Sequence, residues 1–320
     1  MILRRLAIFA DPMILTLLVA LALAAVVPVA GSSAETARDI SNVGIFVLFL
    51  LNGMRIPRRE IARGLANWRY VVPLMLWVFG IMALLGLAFQ WLAAGWLPPL
   101  VALGFLYLGV LPSTVQSATS YTTLAGGSIA LAVVGAALLN IVGVVVSAPL
   151  FALMGGGAAA DIGNDVIIRI GLILVLPFAI GQALQGWTAD WVKARKTRIV
   201  WLDRFVIGLS VYVAASGAMA QGLPGMFAAH DWALLLALVL GYLALASWGA
   251  WAIGAPLGFP RADRIAFLFG GSQKSIAIGA PLAAILFAPS VAGFVIAPLL
   301  VYHLAQLILA APLASRLNRS

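Results

Sequence analysis

The chain has 320 residues, of which 64% are hydrophobic and only 9% are charged, and its mean hydropathy is +1.11. Soluble domains are near half apolar and a quarter charged. The composition therefore excludes a soluble globular enzyme, a disordered chain and a nucleic-acid-binding domain, and it indicates a polytopic helical membrane protein. The absence of cysteine excludes disulfides, thiolate metal sites and cysteine nucleophiles. The formal net charge of +9 raises the question of where the cations lie relative to the bilayer.

Ten apolar runs have the spacing of membrane-spanning helices, each of which needs about 20 residues. Their length indicates helices rather than the alternating strands of a barrel. The first run resembles a signal peptide, because Arg4 and Arg5 precede it and small residues follow it. It is nevertheless long enough to span, and we favour a spanning helix. The predicted segments are 12–30, 39–54, 70–95, 99–124, 128–154, 166–187, 201–222, 231–256, 263–287 and 290–314.

The cations divide unevenly if ten segments alternate across the membrane. Sixteen of the 19 Lys and Arg residues then fall on one side. The positive-inside rule makes that side cytoplasmic and predicts an inner or plasma membrane protein with both termini in the cytoplasm. The three exceptions are Arg38, Arg169 near the start of the sixth segment, and Lys274, which lies well inside the ninth segment.

Ten segments divide into two halves of five, and an odd number of spans per half places the second half in the opposite orientation. This is the layout of an inverted-topology repeat, which is common in transporters. We predict a first repeat over 1–154, a Gly- and Ala-rich linker over 155–165, and a second repeat over 166–320.

The fourth and ninth segments occupy corresponding positions in the two halves, and both are interrupted by polar residues. Pro112 removes a backbone donor, whereas Gly270 and Gly271 weaken the helix. Broken helices that line a cavity can bind ions and substrate. The alternative is that the hydroxyls bond back to their own helices and that Gly and Pro only kink packed helices. The candidate binding residues here are Ser113, Thr114, Gln116, Ser117, Thr119, Ser272, Gln273, Lys274 and Ser275.

Lys274 is the single charge predicted within a span away from its ends. Such a charge costs at least about 2.5–3.5 kcal/mol on insertion scales, so Lys274 needs a counter-charge, helix carbonyls or an anionic substrate. All ten acidic residues are predicted in loops or at helix ends. The missing carboxylate favours an anionic substrate or an uncharged amine.

Three further polar residues, Asn140, His303 and Gln306, are predicted inside the membrane and complete the set of candidate substrate- or ion-binding residues. Asn140 is expected to bond a neighbouring helix. His303 and Gln306 share one face of the tenth segment. His303 either makes an interhelical hydrogen bond or serves in a proton relay.

Four stretches, 51–57, 111–117, 271–275 and 302–306, together resemble the bile acid:sodium symporter superfamily, and more closely its SBF-like branch. The resemblance implies two inverted five-helix repeats, with broken helices 4 and 9 crossing in a core domain beside a panel domain. It also implies that an amphipathic organic anion moves together with sodium by alternating access. The implied polar lining is Ser113, Thr114, Gln116, Ser117, Gln273 and Ser275, with sodium near Thr114, Ser117 and Gln273.

The chain departs from the sodium-coupled members of that superfamily. A glutamate expected just before Gln273 is missing, and the Ser and Thr expected early in the fifth helix are Ala132 and Ala136. One hypothesis is that the Lys274 ammonium occupies the place of a sodium ion. Coupling would then be to protons or absent, unless a single sodium site built from backbone carbonyls remains.

The sequence thus predicts a secondary transporter, a symporter of a small or amphipathic organic anion. Its expected partners are that anion and the lipid bilayer, with no nucleic acid and no specified oligomeric state. We expect no cofactor, with sodium as a candidate coupling ion. An ion channel or a regulatory membrane protein affecting cation homeostasis is the alternative. An intramembrane enzyme is disfavoured because no mid-span acid or nucleophile–base pair is predicted, and no Gly-Lys-Ser/Thr phosphate loop supports ATP-driven transport.

Overall fold

A computed structural model describes residues 12–155, 168–222, 225 and 227–319. These residues are almost entirely helical and contain no β-strand, only an isolated bridge between Ala94 and Leu97. The predicted all-helical class is therefore confirmed. Arg4, Arg5 and residues 156–165 of the predicted linker lie outside the described residues.

The described residues form thirteen helices. In chain order they are α1 (Pro12–Val26), α2 (Gly31–Arg55), α3 (Arg58–Ala66), α4 (Trp68–Ala93), α5 (Pro99–Val110), α6 (Val115–Leu124), α7 (Ile129–Met154), α8 (Ile168–Ala194), α9 (Lys196–Ala220), α10 (Ala229–Ile253), α11 (Arg261–Ser272), α12 (Ile276–Leu286) and α13 (Pro289–Leu317).

Six of these helices are individually long and apolar enough to cross a membrane: α4, α7, α8, α9, α10 and α13. The pair α5 and α6 makes a seventh candidate if the two are one span bent by 64°. Helix α1 has only 15 residues, polar residues in the first half of α2 lower its hydropathy, and the ninth predicted segment is divided between α11 and α12. The ten-helix count therefore stays a prediction, whereas an integral membrane protein is confirmed.

One compact unit comprises the described residues of Met1–Arg58, Ala159–Ala228 and Gly279–Ile296. Within it α2 and α8 approach so closely that a side chain at Gly53 or Gly181 would collide with the backbone of the other helix. An ion pair joins Arg55 Nη2 to Asp203 Oδ2 at 2.6 Å. This unit is thus held by close helix packing and by a charge pair between α2 and α9.

The other compact unit comprises the described residues of Arg59–Ala158, Ala229–Ile278 and Ala297–Ser320. Its central helix α5 is buried from Val101 to Val110, and an apolar cluster links α6, α11 and α13. In α4 the residues Leu76–Ile81 are π-helical, a local widening that is often found at functional sites. Both interruptions predicted from the sequence lie in this unit. Each unit draws residues from both predicted halves, and the repeat boundaries stay predictions.

Candidate functional site

The first helix break separates α5 from α6. Leu111 is extended, with φ −77° and ψ 147°, and Thr114 is also extended. Pro112 explains this geometry, because a proline disfavours helical backbone in the residue before it and offers no N–H to the preceding turn. The chain therefore leaves the helical path at Leu111 and resumes it at Val115.

Five consecutive carbonyls at this break, from Gly109 to Ser113, accept hydrogen bonds from other parts of the chain. The last carbonyls of any helix lack donors within the helix, and a buried carbonyl without a donor is costly. The bonds are Lys274 Nζ to Gly109 O (2.8 Å) and to Leu111 O (2.7 Å), Ser147 Oγ to Val110 O (2.8 Å), Ser275 N to Pro112 O (3.0 Å), and Asn140 Nδ2 to Ser113 O (3.0 Å).

The second break, Gln273–Ser275, separates α11 from α12. Neutral side chains serve its carbonyls: Trp77 Nε1 donates to Gly271 O at 3.3 Å, and the Tyr302 hydroxyl donates to Ser272 O at 2.6 Å. A Cβ at Gly271 would lie 2.7 Å from Trp77 Cδ1, so this position has no room for a side chain. Trp77 lies in the π-helical segment of α4, and its indole contacts the C-terminal end of α11.

Gln306 on α13 clamps the middle of the second break. Its Oε1 accepts from Lys274 N at 2.8 Å, and its Nε2 donates to Lys274 O at 3.0 Å. One amide thus satisfies both backbone groups of Lys274, and the residue before it, Gln273, is extended, with φ −79° and ψ 144°.

The two breaks contact each other directly. Ser275 N donates to Pro112 O at 3.0 Å, and Thr114 Oγ1 donates to Lys274 O at 2.8 Å. With the two bonds of the Lys274 amine, four hydrogen bonds join the breaks. The polar stretches that the sequence singled out in the two halves are therefore adjacent in space.

The Lys274 side chain is completely buried. It forms no ion pair within the part of the chain that the structure describes, and its amine instead bonds the two carbonyls of α5 and the first break. Of the three kinds of partner considered for this charge, the structure provides helix carbonyls. Hydrogen bonds to a charged group contribute about 1.5–3 kcal/mol each, similar in size to the insertion cost of a charge within a span.

Three side-chain oxygens at the breaks are buried and have no hydrogen-bond partner among the described residues: Ser113 Oγ, Ser117 Oγ and Gln273 Oε1. An unsatisfied buried polar atom costs about 1–3 kcal/mol. Such atoms in a folded protein call for a bound water, ion or ligand as explanation. Two of them, on Ser117 and Gln273, belong to the residues predicted near a sodium ion.

The hydroxyls of other predicted site residues bond within their own helices, which is the alternative to a binding role. Thr119 Oγ1 bonds back to Val115 O at 2.8 Å, and Ser272 Oγ bonds back to Leu268 O at 2.7 Å. Ser275 Oγ accepts from Ile278 N at 3.3 Å at the start of α12. Gln116 is exposed at the surface of α6.

The remaining predicted residues lie around the breaks. Asn140 donates both to Ser113 O and, at 2.7 Å, to Ala136 O of its own helix, so it bonds a neighbouring segment as expected. His303 Nδ1 lies 2.9 Å from Gln306 Nε2. A donating Gln306 amide makes His303 Nδ1 an acceptor, and the proton-relay role of this histidine stays a prediction.

Sequence reasoning missed three groups that satisfy the break carbonyls: the indole of Trp77 and the hydroxyls of Ser147 and Tyr302. The available signal was a lone polar group within an apolar run. Ser147 lies among valines and alanines of α7, where a hydroxyl needs a partner. Trp77 and Tyr302 gave no such signal, because both rings also pack as apolar groups.

No cluster of three acidic or histidine side chains that could hold a metal ion occurs in residues 12–155, 168–222, 225 and 227–319. Ala132 and Ala136 are buried and carry no side-chain oxygen. Within this part of the chain, a cation at the breaks would meet hydroxyl, amide and carbonyl oxygens rather than carboxylates.

Residues 11–319 match the model of the SBF-like CPA transporter family. The chain belongs to this family. An uncharacterized protein of Pseudomonas aeruginosa is 36% identical over 97% of this chain and 93% of its own length. The protein named "Putative symporter YfeH" of Escherichia coli is 35% identical over the same shares. "Sodium/bile acid cotransporter 7" of Mus musculus is 23% identical over 84% of this chain and 80% of its own length.

Membership in the SBF-like family confirms the resemblance that the sequence motifs indicated. The chain is accordingly an integral membrane transporter of this family rather than an enzyme. The polar residues at the two helix breaks are the candidates for its binding site.

Proposed function

We propose that this chain is a secondary transporter of a small or amphipathic organic anion, working by alternating access around the two helix breaks. One observation carries the proposal: two interrupted helices are joined by direct hydrogen bonds and surrounded by buried oxygens that have no partner among the described residues. Broken helices with free polar groups are how transporters bind solutes at membrane depth. The names of the mouse and Escherichia coli relatives support an anion and a symport mechanism.

The proposed architecture has ten helices in two inverted repeats, 1–154 and 166–320. The unit that holds both breaks would be the core domain, and the unit with the Arg55–Asp203 pair would be the panel domain. Both termini would lie in the cytoplasm. Because the chain has no cysteine, single cysteines can be introduced directly and labelled with an impermeant maleimide. A cysteine in place of Arg319 should be labelled only after permeabilisation of the inner membrane.

The groups proposed to meet the solute are Ser113, Ser117 and Gln273. Their oxygens are buried and free of partners in the described chain, so a ligand can bond them without breaking an existing hydrogen bond. Lys274 would not contact the solute directly, because its amine already bonds two carbonyls. It would act by holding the first break in place.

The decisive test is uptake of labelled organic anions, including a bile acid, into proteoliposomes. Ser113→Ala, Ser117→Ala and Gln273→Leu should each lower uptake about tenfold, the effect of losing about 1.4 kcal/mol of binding. Thr123→Ala is the matched control, because this exposed hydroxyl of the same helix α6 bonds back to Thr119 O of its own helix. It should leave uptake unchanged.

Counterflow distinguishes a transporter from a channel. Proteoliposomes loaded with unlabelled anion should accumulate labelled anion transiently. Linear, unsaturable uptake without counterflow would contradict the proposal.

A further inference from the structure

The amine of Lys274 lies at the C-terminal end of α5, 2.8 Å from Gly109 O and 2.7 Å from Leu111 O. The side chain is fully buried, and no acidic group pairs with it in the described residues. The amine is therefore held at a helix end by main-chain oxygens.

The end of a helix suits a cation for two reasons. Its last carbonyls have no donors within the helix, and the aligned peptide dipoles place a partial negative charge there. In transporters with interrupted helices, the C-terminal ends of half-helices and unwound carbonyls coordinate monovalent cations. An ammonium has the same charge and the same preference for oxygen partners.

The backbone of Lys274 is fixed as firmly as its amine. Gln306 binds both its N–H and its carbonyl, and Thr114 Oγ1 donates a further bond to that carbonyl. The ammonium is therefore tethered at both ends of its side chain and cannot leave with a transported solute.

We propose that Lys274 is a built-in cation: its ammonium fills a main-chain oxygen site at the end of α5 that would otherwise take a monovalent cation such as sodium. Because the ammonium is covalently attached, it does not cross the membrane. This site therefore does not couple transport to the sodium gradient. The consequence for transport rests on the proposed function, whereas the cation site itself can be tested without any transport measurement.

Lys274→Ala removes three carbons and the amine, which together correspond to propylammonium. The full-length variant and the wild type are purified in detergent, and their melting temperatures are compared in choline, sodium and propylammonium chlorides of equal ionic strength. 1-Propanol serves as the uncharged analogue of the missing fragment. Lys193→Ala is the matched control, because Lys193 is exposed and its removal changes the net charge equally.

We expect the wild type and Lys193→Ala to melt at the same temperature in sodium as in choline. Lys274→Ala should melt lower in choline and regain about 2–4 °C in propylammonium or sodium, as expected for a ligand that binds only the folded state. Propanol should not restore it, because it carries no charge.

Lys274→Ala that responds to neither sodium nor propylammonium would overturn the proposal. A sodium-specific rise in the melting temperature that persists in Ser117→Ala and Gln273→Leu, both with Lys274 intact, would also overturn it, because those substitutions remove the other oxygens offered to sodium at the breaks. This arm needs no Lys274 variant. Failure of every anion to enter wild-type proteoliposomes would contradict the proposed function and leave the result on the cation site standing.

Discussion

The break between α5 and α6 and the break between α11 and α12 leave helix-end carbonyls that need donors from elsewhere. At the first break an ammonium serves two of the five carbonyls from Gly109 to Ser113. At the second break the donors are an indole, a phenol, an amide and a hydroxyl, all of them neutral. Among the described residues, the one ionisable donor at the two breaks, Lys274, thus bonds the first break although it belongs to the second.

The two breaks therefore rely to different extents on hydrogen-bond donors from each other. The first break needs Lys274 of the second, whereas the second receives most of its hydrogen bonds from Trp77, Tyr302 and Gln306 outside the first. Removing the donors one at a time should therefore reveal a graded order of stability loss. The following predictions run from the largest effect to the smallest, with thermal unfolding in detergent as the common measurement.

Lys274→Met should cost the most, about 3 kcal/mol, because two buried carbonyls lose a charged donor while the methionine still fills the stem. Lys193→Met, at an exposed position, should leave the melting temperature unchanged. If Lys274→Met is as stable as the wild type, the amine does not hold the first break.

Gln306→Leu should cost about 2 kcal/mol, because both backbone groups of Lys274 lose the amide that satisfies them. The Thr114 hydroxyl still serves the carbonyl, which limits the loss. The exposed Gln221→Leu is the control. If Gln306→Leu destabilises the protein more than Lys274→Met does, the second break rather than the first depends more strongly on its donor, contrary to the proposal.

Tyr302→Phe should cost about 1–2 kcal/mol, since it leaves Ser272 O without its donor but keeps the ring in place. Tyr212→Phe removes a comparable hydroxyl bond, to Val27 O, at an exposed site. It should cost less, because water can replace the lost donor there.

Ser147→Ala and Ser113→Ala form the sharpest pair. The Ser147 hydroxyl donates to Val110 O, so its loss should cost about 1 kcal/mol. The Ser113 hydroxyl has no partner in the described chain, so its loss should not lower stability but should lower anion uptake. Equal destabilisation by both substitutions would show that Ser113 has a structural role.

Particular residues show how far the sequence could be interpreted. Pro112 and the polar run after it predicted the first break, because a missing N–H disfavours helix whatever surrounds it. Thr119 and Ser272 were less predictable, since a hydroxyl in a helix can face a solute or bond back to its own turn. The structure shows the second arrangement for both residues.

The partner of Lys274 depended on tertiary structure altogether. Counting acidic residues excluded a mid-span carboxylate and favoured an anionic substrate, yet the amine binds Gly109 O and Leu111 O. Carbonyl groups occur at every residue and leave no mark in a sequence. Which of them lack a donor is decided only when helix ends meet.

The sequence by itself determined the membrane class, the helical fold, the family and the two interruptions, because hydropathy, backbone restrictions and motifs are local properties of the chain. Only the tertiary structure decided which donors reach which carbonyls and that the two interruptions bond each other. It also decided that Ser113, Ser117 and Gln273 keep oxygens without a partner among the residues it describes. Those outcomes depend on distances of about 3 Å between residues that lie 27 to 194 positions apart in the chain, and the packing of whole helices sets such distances.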